Sequence, residues 1–270
     1  MNKQRLSLTN GPLVAVLIQA KFSTIVQIAK YIPTVQDELR RKSYPLYDEL
    51  YGSPPPYMEN EKGQFIQWVF SSNDYSRNII IDNEGITYQV FDCNAFEYKK
   101  FIDEFIGLLQ RFDNIVDISS LTRLGLRYVN AIPEKTECSW KDLLNSSLQG
   151  TELPEKIAWH DNPLFAFSTQ RGVSLESLKM SSNFHLNIYQ NPHGSMQPQG
   201  VIKFPLGETG FFEGRPLVTF IDLDHYILFK AAEKGALFSR LEIIFDALHS
   251  VIKEVFFSTL ITEKAKEIWQ

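Results

Sequence analysis

Arg123 and Arg127 are the residues of this sequence whose type and spacing come nearest to chemistry. They stand in Leu-Thr-Arg-Leu-Gly-Leu-Arg-Tyr-Val-Asn-Ala-Ile-Pro, residues Leu121–Pro133. The stretch alternates as a strand does, with Leu124, Leu126 and Tyr128 on one side and Arg123, Gly125 and Arg127 on the other. Two guanidinium groups thus share a face with only a glycine between them. A planar guanidinium grips two oxygens at once, so the pair suits a phosphate or carboxylate ligand, and Gly125 would let that ligand or another backbone approach. The competing use is structural, with both arginines tied to internal carboxylates.

A second candidate is Asp222-Leu223-Asp224-His225, at the end of an expected strand. Alternation puts Asp222 and Asp224 on one side, where two carboxylates could hold a divalent cation, with His225, His185 or His249 as a further ligand. Such a centre would serve a metal-dependent phosphoesterase or nuclease, with the arginines on phosphate. Against it, an Asp-x-Asp at a strand end is common in turn capping, and the histidines lack a His-x-x-x-His spacing. His185 falls on the polar side of its strand, and His249 at the edge of an apolar helical stripe. Neither Cys93 nor Cys138 lies in a catalytic signature, and no Gly-x-Ser-x-Gly elbow, Walker loop or dinucleotide fingerprint occurs. The balance favours a protein without catalysis and without a cofactor.

Aromatic residues in expected loops carry a different signal. Tyr44, Tyr47, Tyr51 and Tyr57 surround a proline-rich segment, and Phe211 and Phe212 lie between Gly210 and Gly214. Exposed Tyr and Phe anchor protein interfaces. The alternative is that they fold back onto the core.

The elements that must position these groups are legible in outline. Leu13–Phe22 is a nearly continuous apolar run, expected as a central strand buried on both faces. Thr24 offers a cap for a helix through Ile25, Ile28, Ile32, Val35 and Leu39, which Pro33 should divide into two short pieces. Tyr44 to Tyr57 is expected as a loop. Strands follow at Phe65–Phe70, Arg77–Ile81 and Ile86–Phe91, the last two joined through Asp82-Asn83-Glu84-Gly85. Asn94 is placed to cap a helix whose Tyr98, Phe101, Phe105, Leu108 and Phe112 form one stripe.

The second half opens on a short helix capped by Ser139 and stopped at Gly150. A meander follows through 164–170, 173–180, 184–190, 201–204 and 217–223. A long helix over Leu237–Phe257 comes next, and then a last helix capped by Thr262 and ending at Trp269. Strands and helices without regular alternation indicate an α+β fold, antiparallel sheet with long amphipathic helices packed on one face. The halves 1–133 and 134–270 would be similar lobes or parts of one continuous domain.

Bulk properties narrow the class. Hydrophobic residues make up 44% of 270, with 20 Phe and 11 Tyr, enough for a sizeable core. A formal charge of −5 argues against non-specific binding of nucleic acid. Two cysteines fit a reducing compartment. The first residues lack a signal-peptide pattern, and no apolar run approaches the roughly 20 residues of a membrane helix. The expectation is a cytoplasmic protein with no membrane association; self-association stays open.

The chain resembles a sporadically distributed prokaryotic family of unknown function, of about this length. The resemblance is carried by Pro12-Leu13, by the central Arg123-Leu124-Gly125-Leu126-Arg127-Tyr128-Val129-Asn130, by Leu248-His249, and by Phe257 to Thr262 followed by Trp269. It departs from that pattern at Ala15, where the family carries an acid, and at Lys21, where it carries arginine. If the acid pairs with the central arginines in the family, the partner here must come from elsewhere. The resemblance implies no catalytic activity. It implies a setting among phage-defence and toxin–antitoxin modules, with another protein of the same operon as partner.

Overall fold

Nine strands form a single antiparallel sheet in the computed structural model, which describes residues 11–52, 65–91, 93, 96–134, 138–149, 166–192, 201 and 217–270. In chain order the strands are β1 (Leu13–Phe22), β2 (Leu46–Gly52), β3 (Phe65–Ser71), β4 (Arg77–Asp82), β5 (Gly85–Val90), β6 (Ser120–Pro133), β7 (Ala166–Leu175), β8 (Met180–Pro192) and β9 (Leu217–Glu233). Their spatial order is β2-β3-β4-β5-β1-β6-β9-β8-β7. The apolar run of β1 therefore lies at the centre, paired with β5 on one side and β6 on the other. The helices are α1 (Ile32–Arg40), α2 (Tyr98–Val116), α3 (Trp140–Leu143), α4 (Lys234–Phe238), α5 (Leu241–Val255) and α6 (Glu263–Trp269).

Period-two alternation divides the strand residues between two cores. Val16, Ile18 and Ala20 of β1, Leu124 and Leu126 of β6 and Ile221, Leu223 and Ile227 of β9 belong to the larger one. The same core takes Phe101, Phe105, Leu108 and Phe112 of α2 and Ile244, Phe245, Leu248 and Ile252 of α5. Phe105 and Phe245 meet edge to face at 5.8 Å. Residues of the opposite parity, Ala15, Leu17, Val129, Ala131 and Phe220, make a smaller core with Val201. No described helix is long and apolar enough to cross a membrane.

Local chemistry accounts for several boundaries. Pro33 stands in the first turn of α1, where its missing N–H is harmless, after a short 3-10 turn at Ile28–Lys30. Ser139 and Asp142 close a capping box on α3, and the Thr262 hydroxyl accepts from the Ala265 N–H to start α6.

Other expectations are corrected. Thr24 caps no helix; its hydroxyl donates to Glu84 at 3.3 Å. The segment expected as a loop from Tyr44 contains β2, which pairs with β3 from Leu46 to Gly52. The expected strands at 164–170 and 173–180 join within β7, which runs on through residues 171 and 172, and the β7–β8 turn falls at Glu176–Lys179, where Lys179 adopts φ 54°. The long C-terminal helix is interrupted between α4 and α5. Asn94, Gly150 and the expected strand at 202–204 lie outside the described residues.

Candidate functional site: an arginine–aspartate lattice across the central strands

Strands β6 and β9 run antiparallel at the middle of the sheet, with Arg127 opposite Asp224 and Val129 opposite Asp222. The side chains pair along the diagonal instead. Arg127 donates from Nε and Nη2 to the two oxygens of Asp222, both at 2.7 Å. Arg123 leans along its strand to reach Asp224, donating from Nη2 to Oδ1 at 3.0 Å and Oδ2 at 2.8 Å. Its Nη1 donates to Gln19 Oε1 at 2.5 Å, and Gln19 in turn donates to Thr87 Oγ1 at 2.9 Å. One polar chain thus links β5, β1, β6 and β9.

Gly125 is what lets Arg123 lie down. The guanidinium passes over that residue and stacks on Tyr226, with Cζ 4.4 Å from the ring centroid. Residue 226 is the register partner of 125. The space above Gly125 is therefore filled by the protein's own cation.

The lattice is largely withdrawn from water, and the Asp222 side chain is only 7% exposed. Burial pulls the Arg127 pKa down, but the bonds to Asp222 and the charges of both aspartates outweigh it and raise it. Burial pushes the Asp224 carboxyl above its ordinary value, against the pull of Arg123 and Arg127. Two cations and two anions meet here and leave no net charge. A phosphate would have to displace an aspartate, and a metal ion an arginine.

The histidines are dispersed. His185 sits beside Asp224 in the β8–β9 register, on the same face. His225 points to the opposite face from Asp222 and Asp224, into the larger core. Its Nδ1 donates to the Leu248 carbonyl at 3.0 Å, so its Nε2 accepts from the Ser182 hydroxyl at 2.8 Å. That serine–histidine pair, which sequence patterns did not flag, has the contact of a nucleophile and its base. Both residues are buried, and the pair ties β8 and β9 to α5. His249 stacks on Tyr98 at 3.8 Å between ring centroids and shares a 2.8 Å hydrogen bond with Tyr128. Among the described residues, no three His, Cys, Asp or Glu side chains gather closely enough to hold a metal ion.

The aromatic candidates separate in the same way. Tyr44 is buried, against the expectation of an exposed anchor, because its ring meets Tyr88 edge to face and its hydroxyl donates to Glu104 at 2.6 Å. Tyr47 and Tyr51 stand 38% and 58% exposed on β2, at one end of the sheet order. Both donate to the carboxylate of Glu49 between them. Tyr57, Phe211 and Phe212 lie outside the described residues.

No protein-family model matches this chain, and no curated protein is similar to it.

Proposed function

We propose that this protein is a non-enzymatic protein-binding component and that β2 is where its partner docks. The observation that carries this reading is the pair of exposed tyrosines, Tyr47 and Tyr51, on the strand that ends the sheet among the described residues. An outer strand offers backbone N–H and C=O groups to an added strand, and aromatic rings beside it supply contact area. Asp48 and Glu49 make this strand acidic, so the matching partner presents an extended segment with basic side chains.

The same geometry weighs against catalysis at the lattice. A hydrolase using Asp222 and Asp224 would first have to strip a bidentate arginine from each. An anion sensor using Arg123 and Arg127 would meet the converse cost.

The setting, prokaryotic defence or toxin–antitoxin control in the cytoplasm, rests on the resemblance carried by Arg123–Asn130. Two cysteines in 270 residues are in keeping with a reducing compartment. We further read α2 and α5 as a layer over one sheet face, and the chain as two similar halves. Each half holds a short helix, then an antiparallel meander, then a long helix.

The test is coexpression with proteins encoded beside it. A Tyr47→Ser/Tyr51→Ser double variant is expected to stay within about 1 kcal/mol of the parent in stability and to lose the coeluting partner on size exclusion. A variant that still coelutes with that partner rejects β2 as the docking edge.

A further inference from the structure

We propose that the cleft where the end of α1 meets β4 and the first turns of α2 binds a phosphate-bearing small molecule. This site shares no residue with the tyrosine edge and stands or falls independently of it. The cleft is wide and open to solvent, with a volume of about 720 Å³. Lys42, Arg77, Lys99 and Lys100 line it against Glu97, Asp103 and Glu104, a local excess of positive charge on a chain of formal charge −5.

Several of these charges are already engaged. Lys99 holds Asp103 at 3.0 Å and also binds Glu242 outside the cleft. Glu104 accepts the Tyr44 hydroxyl at 2.6 Å, and the Tyr88 hydroxyl stands 3.3 Å behind Tyr44 as the next group in the relay. Those buried tyrosines fix the Glu104 carboxylate at the cleft floor.

Arg77 is held differently from Arg123 and Arg127. Its Nη1 is 3.6 Å from Glu104, too far for a close hydrogen bond, and the guanidinium also bonds the Tyr88 hydroxyl, so no bidentate carboxylate fills its fork. Lys42 and Lys100 have no ion-pair partner among the described residues. Two exposed ammonium groups and one guanidinium fork around a common space match the charge and the three terminal oxygens of a phosphate monoester. Glu97, on the same lining, accepts from hydroxyl or amino groups and favours a sugar phosphate or nucleotide over the bare ion.

Calorimetric titration of the full chain with AMP, glucose 6-phosphate and inorganic pyrophosphate, at fixed ionic strength, tests the site. At least one probe is expected to bind, and the Lys42→Gln/Lys100→Gln double variant is expected to bind it about tenfold or more weakly, each lysine supplying a charge-assisted contact. Both lysines are exposed, so that variant keeps its fold. A control pair at the exposed Lys141 and Lys230, also changed to Gln, should bind as the parent does. The proposal is overturned if none of the three probes gives heat at millimolar concentration. It is equally overturned if the double variant binds as tightly as the parent, or if the control pair weakens binding as much.

Discussion

The guanidinium of Arg123 occupies the space that a side chain at residue 125 would need: a Cβ on Gly125 would lie 2.5 Å from Arg123 Nη1 and 2.8 Å from its Cζ. A glycine inside a central strand ordinarily weakens it, so this one is retained for what lies above it. Gly125→Ala must push Arg123 off Asp224 and off the Tyr226 ring. The expected cost is about 1–3 kcal/mol in urea denaturation, the range of an overpacked site. In an Arg123→Ala background the same change should cost little, and the difference measures the coupling. Equal costs in both backgrounds would mean that some other neighbour requires the glycine.

Stability should fall with acid through the histidines. Burial, with the nearby Lys253 charge, holds the His249 imidazole down at about 4, below its ordinary 6.5. Burial also lowers His225, partly offset by its bond to the Leu248 carbonyl. Between pH 6.5 and 4 the unfolded chain therefore carries a proton at residue 249 that the folded chain refuses. The stabilisation is complete above 6.5 and is lost as pH drops toward 4. At ~1.4 kcal/mol per unit the shift at His249 amounts to about 3 kcal/mol. His249→Phe, which keeps the stack on Tyr98, should lose less stability than the parent between pH 7.5 and 4.5 by roughly that amount. The comparison is made by urea denaturation at the two pH values; parallel losses would contradict it.

Lys100 illustrates a cost accepted for binding. The first turn of α2 carries Lys99 and Lys100 and no acid, the reverse of what the helix dipole favours. Lys100→Gln is expected to raise stability by about 0.3–1 kcal/mol in low salt. A destabilised variant would show that Lys100 makes a structural contact instead.

How much of this was legible in the residues depends on the range of the interaction. Elements set by local periodicity came through: the apolar run of β1, the stripe of α2, the break at Pro33 and the β4–β5 hairpin. That hairpin proved tighter than expected, with Asp82 and Gly85 already paired. The misses are places where tertiary contact overrides a local signal. Prolines at 54–56 made the neighbouring Leu46–Gly52 read as loop, although pairing with β3 holds it extended. The strands expected at 164–170 and 173–180 left a gap at Arg171-Gly172, yet one strand runs through it, nothing lies within 4 Å of where a Gly172 Cβ would be, and the turn uses a left-handed Lys179. Leu237 and Leu241 keep helical spacing across the interruption between α4 and α5.

The candidate site was half legible. Alternation put the arginines on one face of their strand and the aspartates on one face of theirs, but could not tell that the two faces are the same. Their partnership needs the β6–β9 register, which joins residues 95 and 101 positions apart. Both carboxylates that hold the arginines come from β9.

A double-mutant cycle at Arg127 and Asp222, followed by urea denaturation, shows whether the charges of this lattice are spent on one another. Arg127→Met and Asp222→Val should each cost about 3–5 kcal/mol, because each strands a buried charge, whereas the double variant should return to within about 1 kcal/mol of the parent. A double variant that loses the sum of the two single costs, or an Asp222→Val variant as stable as the parent, would contradict that pairing.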